Sequence, residues 1–211
     1  TDSVGRDILT RIFYGFRSSL KLSIIIMGIS LPIGVLAGLV AGYYCNTWVD
    51  TLIMRLTDIF MALPPLVMAL SVSSILTPGI ISATFAISLA WWTIYCRLIY
   101  SMTTSLRNEF FVLSAEVIGA SKLHIIFKEI LPNCLGQLLT KATLDMGWVI
   151  LLGASLSFVG LGAQPPTPDL GSMVSDGSSY LPEQWWMCIF PALFIMFVVL
   201  GFNLLGDGIR D

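Results

Sequence analysis

Five stretches of the chain are apolar over about 20 residues or more. An α-helix rises ~1.5 Å per residue, so crossing a hydrocarbon layer of ~30 Å takes about 20 residues. Because backbone polar groups inside lipid must be hydrogen-bonded within the protein, these stretches are predicted to be helices rather than strands. They cover residues 19–43, 56–77, 79–98, 134–159 and 186–205.

The composition is that of an integral membrane protein. Only 11% of the 211 residues are charged and 56% are hydrophobic, whereas a soluble domain carries roughly 25% charged residues. This excludes an ordinary cytosolic enzyme, a disordered tail and a nucleic-acid-binding protein with a basic stripe. The four cysteines are far apart and form no Cys-x-x-Cys pair, so we interpret them as small apolar residues and predict no metal site.

The distribution of basic residues predicts the orientation of the spans. Lys and Arg are absent from residues 160–185, between the last two spans, and three acidic residues lie there instead. By the positive-inside rule, the loop over residues 101–132 and the C-terminus are cytoplasmic, and residues 160–185 form an outer loop. The basic residues on the cytoplasmic side are Arg55, Arg97, Arg107, Lys122, Lys128, Lys141 and Arg210.

Residues 1–18 are predicted to be an amphipathic segment on the membrane surface, followed by one transmembrane domain over residues 19–211. On a helical wheel, Ile8, Ile12 and Phe16 share an apolar arc that also holds Leu9, Phe13 and Leu20. The basic residues on the opposite arc conflict with an outer location under the positive-inside rule. A sixth span upstream would explain how this segment crosses the membrane, and the chain begins with Thr rather than Met.

Two interruptions of the apolar spans predict specific packing. Gly34, Gly38 and Gly42 recur every fourth residue, which leaves one helix face bare enough for another helix to approach closely. Pro64 and Pro65 fall near the middle of the second span, where each removes an amide donor. The span must therefore kink or open there, either as a static bend or as a hinge.

Asp145 lies well inside the fourth span, one helical turn after Lys141. A carboxylate in hydrocarbon is costly, so it must face a partner or water. Two interpretations stay open: an ion pair with Lys141 or a bond to a neighbouring helix, and a place on a translocation pathway. A dyad with Asp58, as in an intramembrane aspartyl protease, is disfavoured because the two aspartates lie at different depths.

Searches for catalytic motifs find no candidate catalytic residues. No lysine follows a glycine, so the chain has no Walker A loop for ATP. The single histidine, His124, lies in the basic loop, which excludes an intramembrane Ser–His dyad and an HExxH zinc site.

The basic loop contains a short helical pattern over residues 108–121. Phe111, Ala115 and Ile118 share one face of it, and Gly119 is a natural end for the helix. Ser121 then begins a second stretch that is predicted to end at Pro132. Spacing alone leaves two functions open: insertion into the groove of a partner protein, or a surface helix on the membrane.

The same loop resembles the EAA loop, through which permeases of binding-protein-dependent ABC importers contact their ATPase subunits. Residues 1–7, 17–20, 157–168 and 202–211 are similar to motifs of the dipeptide, oligopeptide and nickel permeases. The loop departs from the family at Leu113, where relatives have glutamate, and at Glu129, where they have isoleucine. Leu170 replaces a common tryptophan. The residues that carry the loop resemblance are Ser114, Ala115, Gly119, Ala120, Ser121, Leu131 and Pro132.

The resemblance implies an all-α type I ABC importer transmembrane domain in the bacterial inner membrane, the C-type member of a pair of permeases. The loop residues above, together with Glu116, would couple the chain to two ATPase subunits, which hold the ATP and Mg²⁺; this chain would hold no cofactor. A second homologous permease would complete the pathway. An external binding protein would deliver the solute, and residues 164–182 would either face it or cap the helix ends.

For the solute, we favour peptides. A nickel or metallophore permease is the alternative, although the spans offer no His/Cys cluster for a bare ion. A self-sufficient channel or secondary transporter would be expected to show internal repeats, which the sequence lacks.

Overall fold

The computed structural model describes the backbone of residues 1–210 and the side chains of residues 1–209, and within this part the regular structure is helical. The side chain of Arg210, which contributes to the predicted basic side, and Asp211, which ends the closing motif, lie outside the described residues. The helices are α1 Ile8–Tyr43, α2 Trp48–Met61, α3 Pro65–Ile75, α4 Ile80–Leu106, α5 Phe110–Val117, α6 Lys122–His124, α7 Leu131–Phe158, α8 Leu170–Ser178 and α9 Trp186–Arg210.

Each of the five predicted spans corresponds to helix. Four segments are long and apolar enough to cross a membrane by themselves: α1, α4, residues 122–158 and α9. The fifth is the pair α2 and α3, which are bent by 84° at their junction. Pro64 and Pro65 lie at this bend and carry no amide hydrogen, so the carbonyls one turn earlier lose their helical donors. The predicted interruption of the second span is therefore a full break.

The predicted boundary between a surface segment over residues 1–18 and a first span from residue 19 does not coincide with a helix end. α1 begins at Ile8, where the Asp7 carboxylate accepts a hydrogen bond from the Thr10 amide at 2.7 Å, and it runs for 36 residues without a break. Part of the predicted surface-facing arc, Ile8 and Ile12, is instead buried in a cluster with residues of α7, α8 and α9. A helical wheel identifies an apolar face but not whether lipid or protein covers it.

The predicted helix end at Pro132 is wrong, and the helix that contains the fourth predicted span begins before residue 134. Helix continues from Lys122 through a π-helical turn, Ile125–Ile130, directly into α7. Pro132 lies in the first turn of α7, immediately after the π-helical turn. At this position its missing amide hydrogen and its ring are tolerated, so the proline does not end the helix.

α1 and α4 pack at backbone distance. A Cβ built on Gly34, Gly38 or Gly42 would lie 2.4–2.6 Å from its nearest atom in α4, the Trp92 and Cys96 carbonyl oxygens and the Thr103 Cβ, respectively. No side chain larger than hydrogen fits there, so the glycine face of α1 is fully occupied by α4.

Candidate functional site

The loop between α4 and α7 presents α5 at one end of the molecule. α5 ends at Val117, and Gly119 adopts the left-handed conformation (φ +88°) that lets the Ala120 amide donate to the Ala115 carbonyl at 3.0 Å. The Ser121 hydroxyl then accepts from the His124 amide at 3.3 Å and starts the next helix. The stop at Gly119 and the restart at Ser121 are both as predicted.

The exposed surface of this loop is apolar. Phe110 and Ile118 are each 85% exposed and Val117 is 88% exposed, whereas Val112 is fully buried. Ala115 and Ala120 pack partly against the main core. Of the three residues predicted to share a face, Ala115 packs partly against the protein, whereas Phe111 is 39% exposed and Ile118 is 85% exposed. α5 has less than three turns, and its orientation is set by contacts outside it.

The structure places the remaining loop residues in two groups. Ser114, Glu116, Gly119, Ser121 and Pro132 are exposed, whereas Leu131 is half-buried against the core. The Ser114 hydroxyl donates to the Phe110 carbonyl of its own helix at 2.7 Å. Apart from Pro132, the exposed group and the apolar residues Val117 and Ile118 belong to one continuous stretch of chain, residues 114–121, in which Ala115 and Ala120 are partly buried.

Two tyrosines at the end of α1 contact this loop, and sequence reasoning missed them. The Tyr43 hydroxyl donates to Glu116 Oε1 at 3.3 Å, and the Arg107 guanidinium lies 5.5 Å from the centre of the Tyr43 ring. The Lys122 ammonium lies 5.3 Å from the centre of the Tyr44 ring. The Tyr-Tyr pair at the end of the first span was the available signal, but aromatic residues at a span end are expected at the membrane interface in any case.

Asp145 lies at the centre of a buried polar contact between α7 and α4. It is 1% exposed and accepts from Lys141 Nζ at 2.7 Å and from the Tyr95 hydroxyl at 2.9 Å. The structure thus contains both the ion pair and the bond to a neighbouring helix that the first interpretation named, and a place of Asp145 on a translocation pathway stays a prediction. Asp58 pairs separately with Arg97, so the two aspartates have different partners and form no dyad.

The outer loop is anchored by Asp169, which is 5% exposed. Its carboxylate accepts from the amides of Gly171 and Ser172, at 3.0 and 3.3 Å, and caps α8. Burial raises the pKa of Asp169 even though these hydrogen bonds act to lower it. Gly171 lies directly against the Ala154 carbonyl of α7, so α8 packs on the spans. Residues 164–167, by contrast, are exposed.

Within the part of the chain that the structure describes, no group of three or more His, Cys, Asp or Glu side chains could hold a metal ion. The charged groups of the site instead serve contacts between helices and between α1 and the loop.

These features define a multi-pass helical membrane protein with an exposed apolar loop at one end. A profile of the family described as "Binding-protein-dependent transport system inner membrane component" matches residues 21–211. The chain belongs to this family, and its fold is that of a type I ABC importer transmembrane domain.

Among curated proteins, the chain is 44% identical over all its 211 residues to the dipeptide transport system permease protein DppC of Alkalihalophilus pseudofirmus and spans 69% of that protein. It is 39% identical to the probable D,D-dipeptide transport system permease protein DdpC of Escherichia coli, over all its residues and 70% of that protein. It is also 39% identical over 210 residues to the glutathione transport system permease protein GsiD of Pectobacterium atrosepticum, covering 69% of it.

Solved structures share the fold. The MetNI methionine ABC transporter in an inward-facing conformation aligns with a TM-score of 0.69 at 17% identity, covering 100% of this chain and 98% of that one. An amino acid ABC transporter aligns with a TM-score of 0.73 at 14% identity, covering 97% and 98%. At such low identity these matches show the architecture alone.

Proposed function

We propose that this chain is a permease subunit of an ATP-driven importer of short peptides and forms half of the translocation pathway with a second, homologous permease. The observation that carries the proposal is the match over the whole chain, at 44% identity, to a permease named for dipeptide transport. The permeases named above are named for peptides or glutathione, which supports peptides over nickel or a metallophore. Two ATPase subunits would supply ATP and Mg²⁺, and an external binding protein would deliver the peptide.

Residues 114–121 would be the surface to which the ATPase subunits bind on the cytoplasmic side of the membrane. The C-terminus would lie on the same side. An apolar, 85–88% exposed pair, Val117 and Ile118, at the end of a short helix is the kind of anchor that fills a pocket in a partner. A helix that is packed against a partner moves with it. When the ATPase subunits close on bound nucleotide, α5 would therefore move and displace the spans.

The test is a charge placed at the centre of this surface. We expect Val117→Glu combined with Ile118→Glu to reduce co-purification of the ATPases more than about tenfold, because two carboxylates would be desolvated in the contact. Ala115 is a poor target because it packs against the core, and a charge there would disturb folding. Val4→Asp is the matched control, since Val4 is 72% exposed and lies in the segment before α1.

Unchanged ATPase binding by the double variant would refute the coupling surface. The solute requires a separate measurement: uptake of labelled dipeptide and of nickel by cells that lack the system and receive the complete set of subunits. Nickel uptake without dipeptide uptake would overturn the peptide assignment, and transport by this chain without any ATPase would overturn the importer assignment.

A further inference from the structure

Tyr43 and Tyr44 contact the loop between α4 and α7 at three positions along its sequence. Arg107 precedes α5, Glu116 lies within it and Lys122 follows it, and each contacts one of the two tyrosine rings or hydroxyls. The two rings also contact each other edge to face, with centroids 5.3 Å apart. The loop thus contacts the end of α1 at three positions: before, within and after α5.

This attachment point is rigid. Tyr43 is 5% exposed, and the adjacent Gly42 packs on Thr103 of α4, so the ring cannot move independently of the α1–α4 pair. After Tyr44 the chain turns sharply, and the Thr47 hydroxyl donates to the Tyr44 carbonyl at 2.6 Å. α5, by contrast, has only one fully buried side chain, Val112. α5 also packs on the π-helical turn Ile125–Ile130 and, through Ala115, on the main core, so the tyrosines add the connection from α5 to α1.

We propose that Tyr43 and Tyr44 form a latch that transmits displacement of α5 to α1 and α4. This inference rests on the proposed function, because it assigns positioning residues to the coupling of ATP hydrolysis to transport. If the tyrosines had a merely structural role, loss of their contacts would lower the amount of assembled complex. If they form a latch, the same loss lowers the number of peptides moved per ATP while assembly and ATP hydrolysis continue.

The experiment uses the complete complex in proteoliposomes, with dipeptide uptake and ATP hydrolysis measured together. Tyr43→Phe removes only the hydroxyl, and Tyr44→Leu removes the ring over which Lys122 lies. We expect the double variant to move roughly fivefold less peptide per ATP, since a hydrogen bond to a carboxylate and a cation–π contact are both lost. Tyr100→Phe is the matched control, because its hydroxyl donates to Asp50 at 3.4 Å, away from the loop.

Pairing Tyr43→Phe with Glu116→Ala tests the contact itself. If the hydroxyl acts through Glu116, the effects of the two changes are not additive. An unchanged ratio of peptide to ATP in the double tyrosine variant overturns the latch, and so does loss of the ATPases from that complex.

Hydrogen exchange of the α5 amides in the purified chain gives a readout that does not need transport. Faster exchange in Tyr43→Phe than in Tyr100→Phe supports the latch, and equal exchange overturns it. If instead the wild-type complex moves no peptide, the proposed function fails, whereas exchange still reports on the latch.

Discussion

Replacement of Gly38 by alanine tests the α1–α4 contact most directly. The new methyl carbon would lie 2.5 Å from the Cys96 carbonyl oxygen and 2.9 Å from the Ile99 Cβ, whereas ordinary contact begins at 3.4 Å. Both neighbours are fixed to the α4 backbone, so the helices must separate by about 1 Å. Overpacking of this kind costs typically 1–3 kcal/mol, and alanine recovers up to ~1 kcal/mol of helix propensity. We therefore expect a net loss of about 1–2 kcal/mol.

Gly28 of the same helix provides the control. A Cβ at Gly28 has no neighbour within 4 Å, so Gly28→Ala gains propensity without a clash and is expected to be neutral or stabilising. Thermal unfolding of the two variants in the same detergent measures the difference. Equal midpoints for Gly38→Ala and Gly28→Ala would show that α1 and α4 do not pack at backbone distance.

Two further predictions concern buried carboxylates. Lys141→Met is expected to lower the free energy of unfolding by ~2 kcal/mol because it leaves Asp145 buried without its cation. Adding Asp145→Asn is expected to recover much of this loss. A double variant that is no more stable than Lys141→Met alone would contradict the pairing. Burial raises the pKa of Asp169 in the folded protein above 3.8, so the folded protein keeps this proton to a higher pH than the unfolded chain does. The free energy of unfolding therefore falls as pH rises above 3.8. Asp169→Asn keeps the α8 cap and is expected to flatten this slope in thermal unfolding scans; an unchanged slope would exclude Asp169 as its source.

Local signals in the sequence predicted several features correctly. The five apolar stretches all correspond to helix. The turn at Gly119 after α5 and the cap at Ser121 before α6 were predicted because caps depend on residues within one turn. The break at Pro64 and Pro65 follows equally from the absence of two amide hydrogens. The ion pair of Lys141 and Asp145 is also local, since the two residues lie four positions apart on one helix.

Features that depend on distant contacts were not predictable in this way. Ile8 and Ile12 of the predicted apolar arc are covered in part by α8 and α9, which lie more than 150 positions away along the chain, so they could not be told from lipid-facing residues. Pro132 indicated a helix end, but the preceding π-helical turn keeps the helix continuous. The role of Tyr43 depends on Glu116, 73 positions later, and no local pattern marks that pair.

The two kinds of interruption in the spans have opposite mechanical consequences. The three glycines remove side chains but no backbone donors, and α1 stays continuous, also through Pro32. A Cβ built on any of these glycines would lie 2.4–2.6 Å from an atom of α4. The two prolines remove backbone donors instead, and the second span bends by 84°. A change of angle at that bend breaks no helical hydrogen bond, because the donors are already missing, whereas α4 cannot slide along α1 without a clash against backbone atoms. α1 and α4 are thus coupled at backbone distance by the three glycines, and the junction of α2 and α3 is the place where the second span lacks backbone donors.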